Sequence, residues 1–244
     1  MKVYFWLILA VVQTTAFFLS AKQSLSVSFT EGKIEALNIN YPKSKESIKN
    51  LVEGEQISFE DWICSGQNSR GEFSDNKNIT YRLGSMSIVS FHKPNEFKLH
   101  SGSFLFCTKE KNTTFKFSST ESNASFIGSG TIILEATSNG GFKFLPVEAR
   151  GKLITDKGGT KIVQSGQMIL VLDQPSIFGD AYDIDLMLLI KSSPIIYSFP
   201  TPLNTFGRIS LAVYSQELRM KSKFKALIGD ATSKDNLQVW TFEK

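Results

Sequence analysis

Few residues in this chain could do chemistry, and their spacing limits what they can do. Only two histidines occur, His92 and His100. A zinc site would need both, plus carboxylates at ligand spacing. Lys93 and Pro94 lie between them and the ligand spacing is missing, so both are expected on turns or at the surface. A thiol nucleophile could be drawn from Cys107 and His100, but no third orienting group accompanies them. Within Phe104-Leu105-Phe106-Cys107 the cysteine is expected to behave as a small buried apolar side chain. Gly128-Ser129-Gly130-Thr131 has the glycines of a phosphate loop without its Lys, and a β run follows instead of a helix. A turn or bulge between strands is the expectation there. Asp183 and Asp185 are too close in sequence to suggest two carboxylates facing each other across a glycosidase cleft. Ahead of Leu186 they suit capping of a short helix. Glu60-Asp61 beside Trp62 resembles a sugar-binding cluster in composition. The chain is therefore expected not to be an enzyme, with no catalytic, cofactor-binding or metal-binding residues. A carbohydrate-binding or carbohydrate-active protein stands as the alternative.

The elements that would have to position such residues are read from composition and pattern. The chain has 244 residues, 41% hydrophobic and 20% charged, with twenty Phe and a net charge of +4. That length suits one β domain with or without an appendage, and the apolar content excludes global disorder. Basic residues concentrate only in the C-terminal segment, which argues against nucleic acid as a partner. Lys2, the apolar residues 3–12, the polar break at Gln13-Thr14-Thr15 and the small pair Ser20-Ala21 read as a signal peptide over residues 1–21. The polar break argues against the other reading, a retained membrane anchor. No later run is long enough to span a bilayer. The two cysteines, Cys64 and Cys107, could bridge in an oxidising compartment, but nothing in their spacing demands it.

Residues 22–180 read as a β domain. Leu25-Ser26-Val27-Ser28-Phe29, Glu96-Phe97-Lys98-Leu99 and Thr114-Phe115-Lys116-Phe117 alternate, which places their apolar residues on one face. Asn139-Gly140-Gly141 and Lys157-Gly158-Gly159 read as hairpin turns. Gly32, Gly54, Gly102, Gly151 and Gly166 each precede an apolar run, as where a chain bends or bulges into a new buried strand. The fold class is all-β, an antiparallel sandwich or jelly-roll-like stack. Residues 181–244 read as a helical tail. A short helix lies over residues 186–190 and stops at Ser192-Ser193-Pro194. Thr201-Pro202 then suggests an N-cap followed by proline. Phe206, Ile209, Val213, Met220, Phe224 and Leu227 predict an amphipathic helix of about 20 to 25 residues, opposite Arg208, Arg219 and Lys223. Its apolar stripe could dock on the β domain as a lid, or its basic face could address a membrane surface.

The β region resembles the FecR-like domain family. The resemblance rests on Gly54-Glu55-Gln56-Ile57, Ile63-Cys64-Ser65-Gly66, Ser69-Arg70-Gly71-Glu72-Phe73 with Tyr81-Arg82-Leu83-Gly84, and Leu99-His100-Ser101-Gly102-Ser103-Phe104. Ile127-Gly128-Ser129-Gly130-Thr131 and Gln164-Ser165-Gly166-Gln167-Met168 complete it. Cys64 stands where the family usually has Thr. The resemblance implies an extracytoplasmic β module without catalytic residues, placed in the periplasm or at the cell surface. Its expected partner is a protein or an envelope polymer. The sigma-regulator role of the best-known members is not expected to carry over, since only Met1 and Lys2 precede the apolar run.

Overall fold

Alternating apolar and polar residues make strands with one buried face, whereas unbroken apolar runs make strands buried on both. This chain uses the first pattern for many of its strands and the second within three long ones and at residues 167–172. The computed structural model describes residues 25–38, 48–59, 61–220, 223–228 and 238–243, the last two segments by backbone alone. The proposed signal peptide, residues 1–21, lies outside them.

In chain order the elements are β1 (Leu25–Glu31), β2 (Ile34–Asn38), β3 (Ile48–Asn50), β4 (Gln56–Ile57), β5 (Asp61–Ser65), β6 (Arg70–Ser74) and β7 (Thr80–Leu83). Then come β8 (Ile88–Lys93), β9 (Glu96–Ser101), β10 (Ser103–Ser118), β11 (Asn123–Ala136), β12 (Phe142–Thr155), β13 (Gly159–Val163), β14 (Gln167–Leu172) and β15 (Ile177–Asp183). Three helices follow, α1 (Leu186–Ser192), α2 (Pro194–Tyr197) and α3 (Phe206–Met220), and then a hairpin of β16 (Lys223–Ile228) and β17 (Gln238–Glu243).

The long strands β10, β11 and β12 run through both layers of an all-β sandwich, and the helices form a C-terminal appendage. The first half of β10 pairs with β7, which leads through β6 and β1 to β4. Its last residues pair with β9, which leads through β8, β5 and β2 to β3. The β9–β10 pair is parallel, a departure from the all-antiparallel arrangement that the sequence suggests. On the other side of β12, β14 and β15 extend the first layer and β13 edges the second.

Long strands can serve two layers only if they bend. In β10 the register shifts between Thr108 and Thr113, so Phe104 and Phe106 before the bulge and Phe115 and Phe117 after it all enter one core. In β11 and β12 glycine does this work. A Cβ on Gly128 would lie 2.2 Å from the Arg150 carbonyl, and one on its cross-strand partner Gly151 2.2 Å from that of Ile127. Gly130, at φ +132°, would meet the Glu148 carbonyl at 2.0 Å. The Phe126 ring lies over Gly128 and Gly151 and fills the space their missing side chains leave. Gly128-Ser129-Gly130-Thr131 is therefore the interior of a bent strand and not a turn between strands. Gly151 likewise sits inside β12 instead of opening a strand, while Asn139-Gly140 and Gly158-Gly159 do turn the chain.

The sandwich interior is aromatic. Phe97 is at its centre, with the rings of Phe91, Phe104, Phe106, Phe117 and Tyr81 at 4.9 to 6.4 Å. The Tyr81 hydroxyl escapes burial without a partner by donating to the Pro94 carbonyl. Leu25 and Val27 point inward as their alternation predicts. Phe29 does not share their face. A register shift between Val27 and Phe29 turns its ring outward against Phe199, at 5.6 Å.

Candidate interaction surface

Consecutive apolar residues in β10–β12 leave the outer face of the first layer apolar as well. Leu105, Cys107, Ile133, Leu145, Val147 and Met168 form a second core, closed by Leu186, Ile195, Ile196, Leu203, Ile209 and Val213 from the helical segment. Asp185 caps α1 by accepting the Leu188 N–H at 3.0 Å, and Ser193 ends it. The tail's helix does not start at Thr201-Pro202 as the sequence suggests. An N-cap carbonyl must accept the first intrahelical bond, and that of Thr201 accepts from Arg82 instead. α3 begins after Thr205, whose carbonyl accepts from the Arg208 and Ile209 N–H groups. It is also shorter than its apolar stripe predicts. Phe224 and Leu227 belong to β16, where they pair with Phe242 and Val239 of β17. A partner strand has overridden a helical spacing that residues 223–228 also satisfy as alternation. Sheet pairing continues past residue 180, to Asp183.

Directional bonds latch this appendage down. Arg82, fully buried, donates from Nε to Glu72 at 2.8 Å, from Nη1 to the Ile196 carbonyl at 2.8 Å, and from Nη2 to the Thr201 carbonyl at 2.6 Å. Its guanidinium also lies over the Phe199 ring, 4.1 Å from the centroid. Burial lowers the Arg82 pKa and Glu72 opposes that, so the fork stays charged. On the other flank, the buried amide of Gln216 accepts the Leu186 N–H at 3.0 Å and donates to the Ile184 carbonyl at 2.6 Å. It thereby satisfies a donor that the first turn of α1 leaves free. Between them, Cys107 donates to the Asn204 side chain at 3.1 Å and accepts from Thr131 at 3.2 Å. Burial pushes the Cys107 thiol up, which keeps it protonated and unreactive.

The outward side of the appendage is different. Leu188, Tyr197, Phe206, Leu211, Tyr214 and Leu218 are each more than half exposed. Phe206, read from sequence as part of the docking stripe, is among them. Beside α3 runs a groove of about 360 Å³ between the helix, β12 and the β13–β14 turn, lined among others by Glu148, Arg150, Arg208, Leu211 and Arg219. Arg219 pairs with Asp183 at 2.9 Å, while Arg208 approaches Glu148 only to 3.4 Å. Arg208 Nε and Nη2 and Glu148 Oε2 are shielded from solvent and have no hydrogen bond. Burial raises the Glu148 pKa, against the pull of Arg208 and Arg150.

The residues whose types suggested chemistry are dispersed. His100 stacks on Trp62 with ring centroids 4.0 Å apart and shares a 2.9 Å hydrogen bond with Ser90. Burial, then the charges of Lys98 and His92, pull its pKa down to about 4. The stacked imidazole covers one face of Trp62, and Glu60 lies outside the described residues. His92 is an exposed residue near the end of β8, beside a hollow of about 480 Å³ that also holds Glu96, Lys116 and Asp156. Cys107 belongs to the second core, away from His100. Cys64 and Cys107 are both free, on separate strands, so the permitted bridge is not made. Among the described residues no three His, Cys, Asp or Glu side chains converge as metal ligands, and no helix is long and apolar enough to cross a membrane.

Sequence reasoning passed over Arg82 and Gln216 as structural anchors. Arg82 carried a legible signal, a charged residue between Tyr81 and Leu83 in a strand with Glu72 on the preceding one. Gln216 carried a weaker one, a polar residue three after Val213 on the docking stripe.

No family model and no curated protein matches this chain. Similar solved structures include two from Parabacteroides distasonis ATCC 8503, each assigned as an anti-sigma factor. One, at 2.50 Å resolution, has a TM-score of 0.41 at 6% identity and covers 73% of this chain and 97% of that one. The other, at 1.65 Å, has a TM-score of 0.39 at 7% identity and covers 75% and 99%. Likeness at this level carries no argument about relation or activity.

Proposed function

We propose that the chain is an exported, non-catalytic module of the FecR-like kind that binds a partner in the periplasm or at the cell surface and acts there as a sensor or scaffold. The observation that carries this reading is the outward side of the appendage. Six large apolar side chains more than half exposed are gathered on residues 188–218, against four on the other residues whose side chains are described. Apolar exposure concentrated in this way marks an interaction surface. Two further features support it. The cap beneath that surface is fixed by buried directional bonds, as a presenting scaffold requires. The reactive groups are held in unreactive forms, with the Cys107 thiol raised and His100 neutral at physiological pH. The leader-like residues 1–21 and the family motifs supply the location and the kind.

The test is capture from envelope extracts with purified residues 22–244, wild type against Leu211→Asp/Leu218→Asp. A defined protein or polymer retained by the wild type and lost by the variant is the expected result. Equal retention by both would remove the appendage from the binding surface. Turnover or binding of a glycan, abolished by Trp62→Ala, would replace the reading with a carbohydrate-directed one. Intact mass of the exported protein checks the leader, with loss of residues 1–21 expected.

A further inference from the structure

The exposed face of α3 has a defined spacing. Gly207, Leu211, Tyr214 and Leu218 recur at four, three and four residues, all exposed, on the side opposite the buried Ile209, Val213 and Gln216. A 3–4 repeat of this kind is the seam by which one helix receives another. Gly207 adds to it. Among the described residues no group beyond its own helix backbone and chain neighbours lies within 4 Å of where its Cβ would be, so no side chain there fills the place. It leaves the backbone open to close approach at one end of the seam. From Gly207 to Leu218 the seam is about 16 Å long, three turns of helix.

Charge distinguishes the two sides of this seam. By helical geometry Arg208, Ser215 and Arg219 flank it toward the groove, with Arg150 on the groove's far wall. Ser210 and Glu217 flank it on the other side. Arg150 is exposed on this flank, and Arg208, about 40% exposed, turns Nε inward to Glu148 at 3.4 Å, so the side of the seam nearest the groove presents two guanidinium charges. A flank of this sign suits carboxylates, and the exposed Arg150 fork can bind one bidentately.

We infer that the Gly207–Leu211–Tyr214–Leu218 seam of α3 receives an amphipathic helix of a different protein, whose acidic flank lies along Arg150 and Arg208. This rests on the proposed binding role and specifies the partner's chemistry. A second copy of the chain fits poorly. Its own α3 would bring one carboxylate, Glu217, on the side away from the groove, and would set Arg208 among further arginines. A helical partner with Asp or Glu one turn from its apolar seam satisfies both features together.

Site-specific photo-crosslinking in the cells that make the protein tests this. A benzoylphenylalanine is placed at Leu211 or Leu218, with Ile162 on the exposed edge of β13 and Met86 as distant positions. The expected result is an adduct from both α3 positions to one other protein. By mass spectrometry it should map to a segment with apolar residues at three and four and carboxylates beside them. Arg150→Glu should lower its yield at least tenfold with the melting temperature unchanged. An adduct to lipid, to the chain's own sequence, or to a segment without carboxylates overturns the inference, as does an undiminished yield in Arg150→Glu. Adducts from Ile162 or Met86 but not from α3 would overturn it while leaving a binding role intact. Absence of adducts from all four positions would overturn both.

Discussion

The sandwich interior and the second core, the buried seam between the β domain and the helices, are held by different forces. In the first, Phe97 and its ring neighbours are apolar, and any one contact is one of many. In the second, apolar packing by Ile209 and Val213 is joined by single polar groups that each satisfy several partners, Arg82 on one flank and Gln216 on the other. Rings interact without strict direction, so the interior should tolerate change that conserves volume. A buried fork has one geometry, so the seam should tolerate almost none.

Truncation at either place should be costly, and the conservative substitution should tell them apart. Phe97→Ala is expected to cost about 3–5 kcal/mol by denaturant unfolding, and Phe97→Leu clearly less. Arg82→Met should cost a similar amount, about 3–5 kcal/mol, because it strands Glu72 and carbonyls of the appendage in the interior. Arg82→Lys should recover little of it, since an ammonium cannot reach Glu72 and the Ile196 and Thr201 carbonyls together. Full recovery by Lys would erase the distinction. Adding Glu72→Leu to Arg82→Met should return part of the loss, which a double-mutant cycle measures.

Gln216→Leu is expected to cost about 1–3 kcal/mol by leaving the Leu186 N–H and Ile184 carbonyl unpaired. If the seam behaved like the interior, this swap of an amide for an apolar group of similar size would be neutral. The smallest effect concerns His100 at the outer face of the second layer. Its pKa of about 4 in the folded chain is below the ordinary 6.5, so folding favours the neutral ring. The unfolded chain binds more protons between these values, and stability should fall as pH drops from 6.5 through 4. In His100→Phe that part of the pH dependence should flatten, as thermal melts at pH 7, 5 and 4 would record.

Sequence patterns served the interior better than the seam. The alternation at Phe97-Lys98-Leu99 and Phe115-Lys116-Phe117 marks buried faces because a pleat puts every second side chain inward. The same rule fails at Phe29, where a bulge shifts the phase, and bulges leave no fixed residue signature. Gly128 and Gly151 were visible as glycines. Their role was not, because it arises from two strands approaching each other across 23 residues of sequence. The helix end at Met220 was hidden for a related reason. The residues after it fit both periods, and a strand ten or more residues later decides between them. The seam on α3 was concealed by its neighbour. The sequence offers two apolar stripes on one helix, and the stripe of Ile209 and Val213 masks the other because Phe206 fits the spacing of the first while facing solvent.

The long reach of Arg82 bears on the order in which the chain can mature. Its bonds to Ile195, Ile196 and Thr201 span 113 to 119 residues. A chain emerging from a ribosome or a translocation pore, N-terminus first, can assemble β6 and β7 long before those carbonyls arrive. During that interval a guanidinium, a carboxylate and the apolar outer face of Leu105, Ile133 and Val147 have no cover. Such surface is what folding helpers recognise and what aggregates when they are absent. The appendage is thus also the chain's closing step, and a product truncated before Pro194 should be retained by chaperones instead of accumulating as a smaller sandwich.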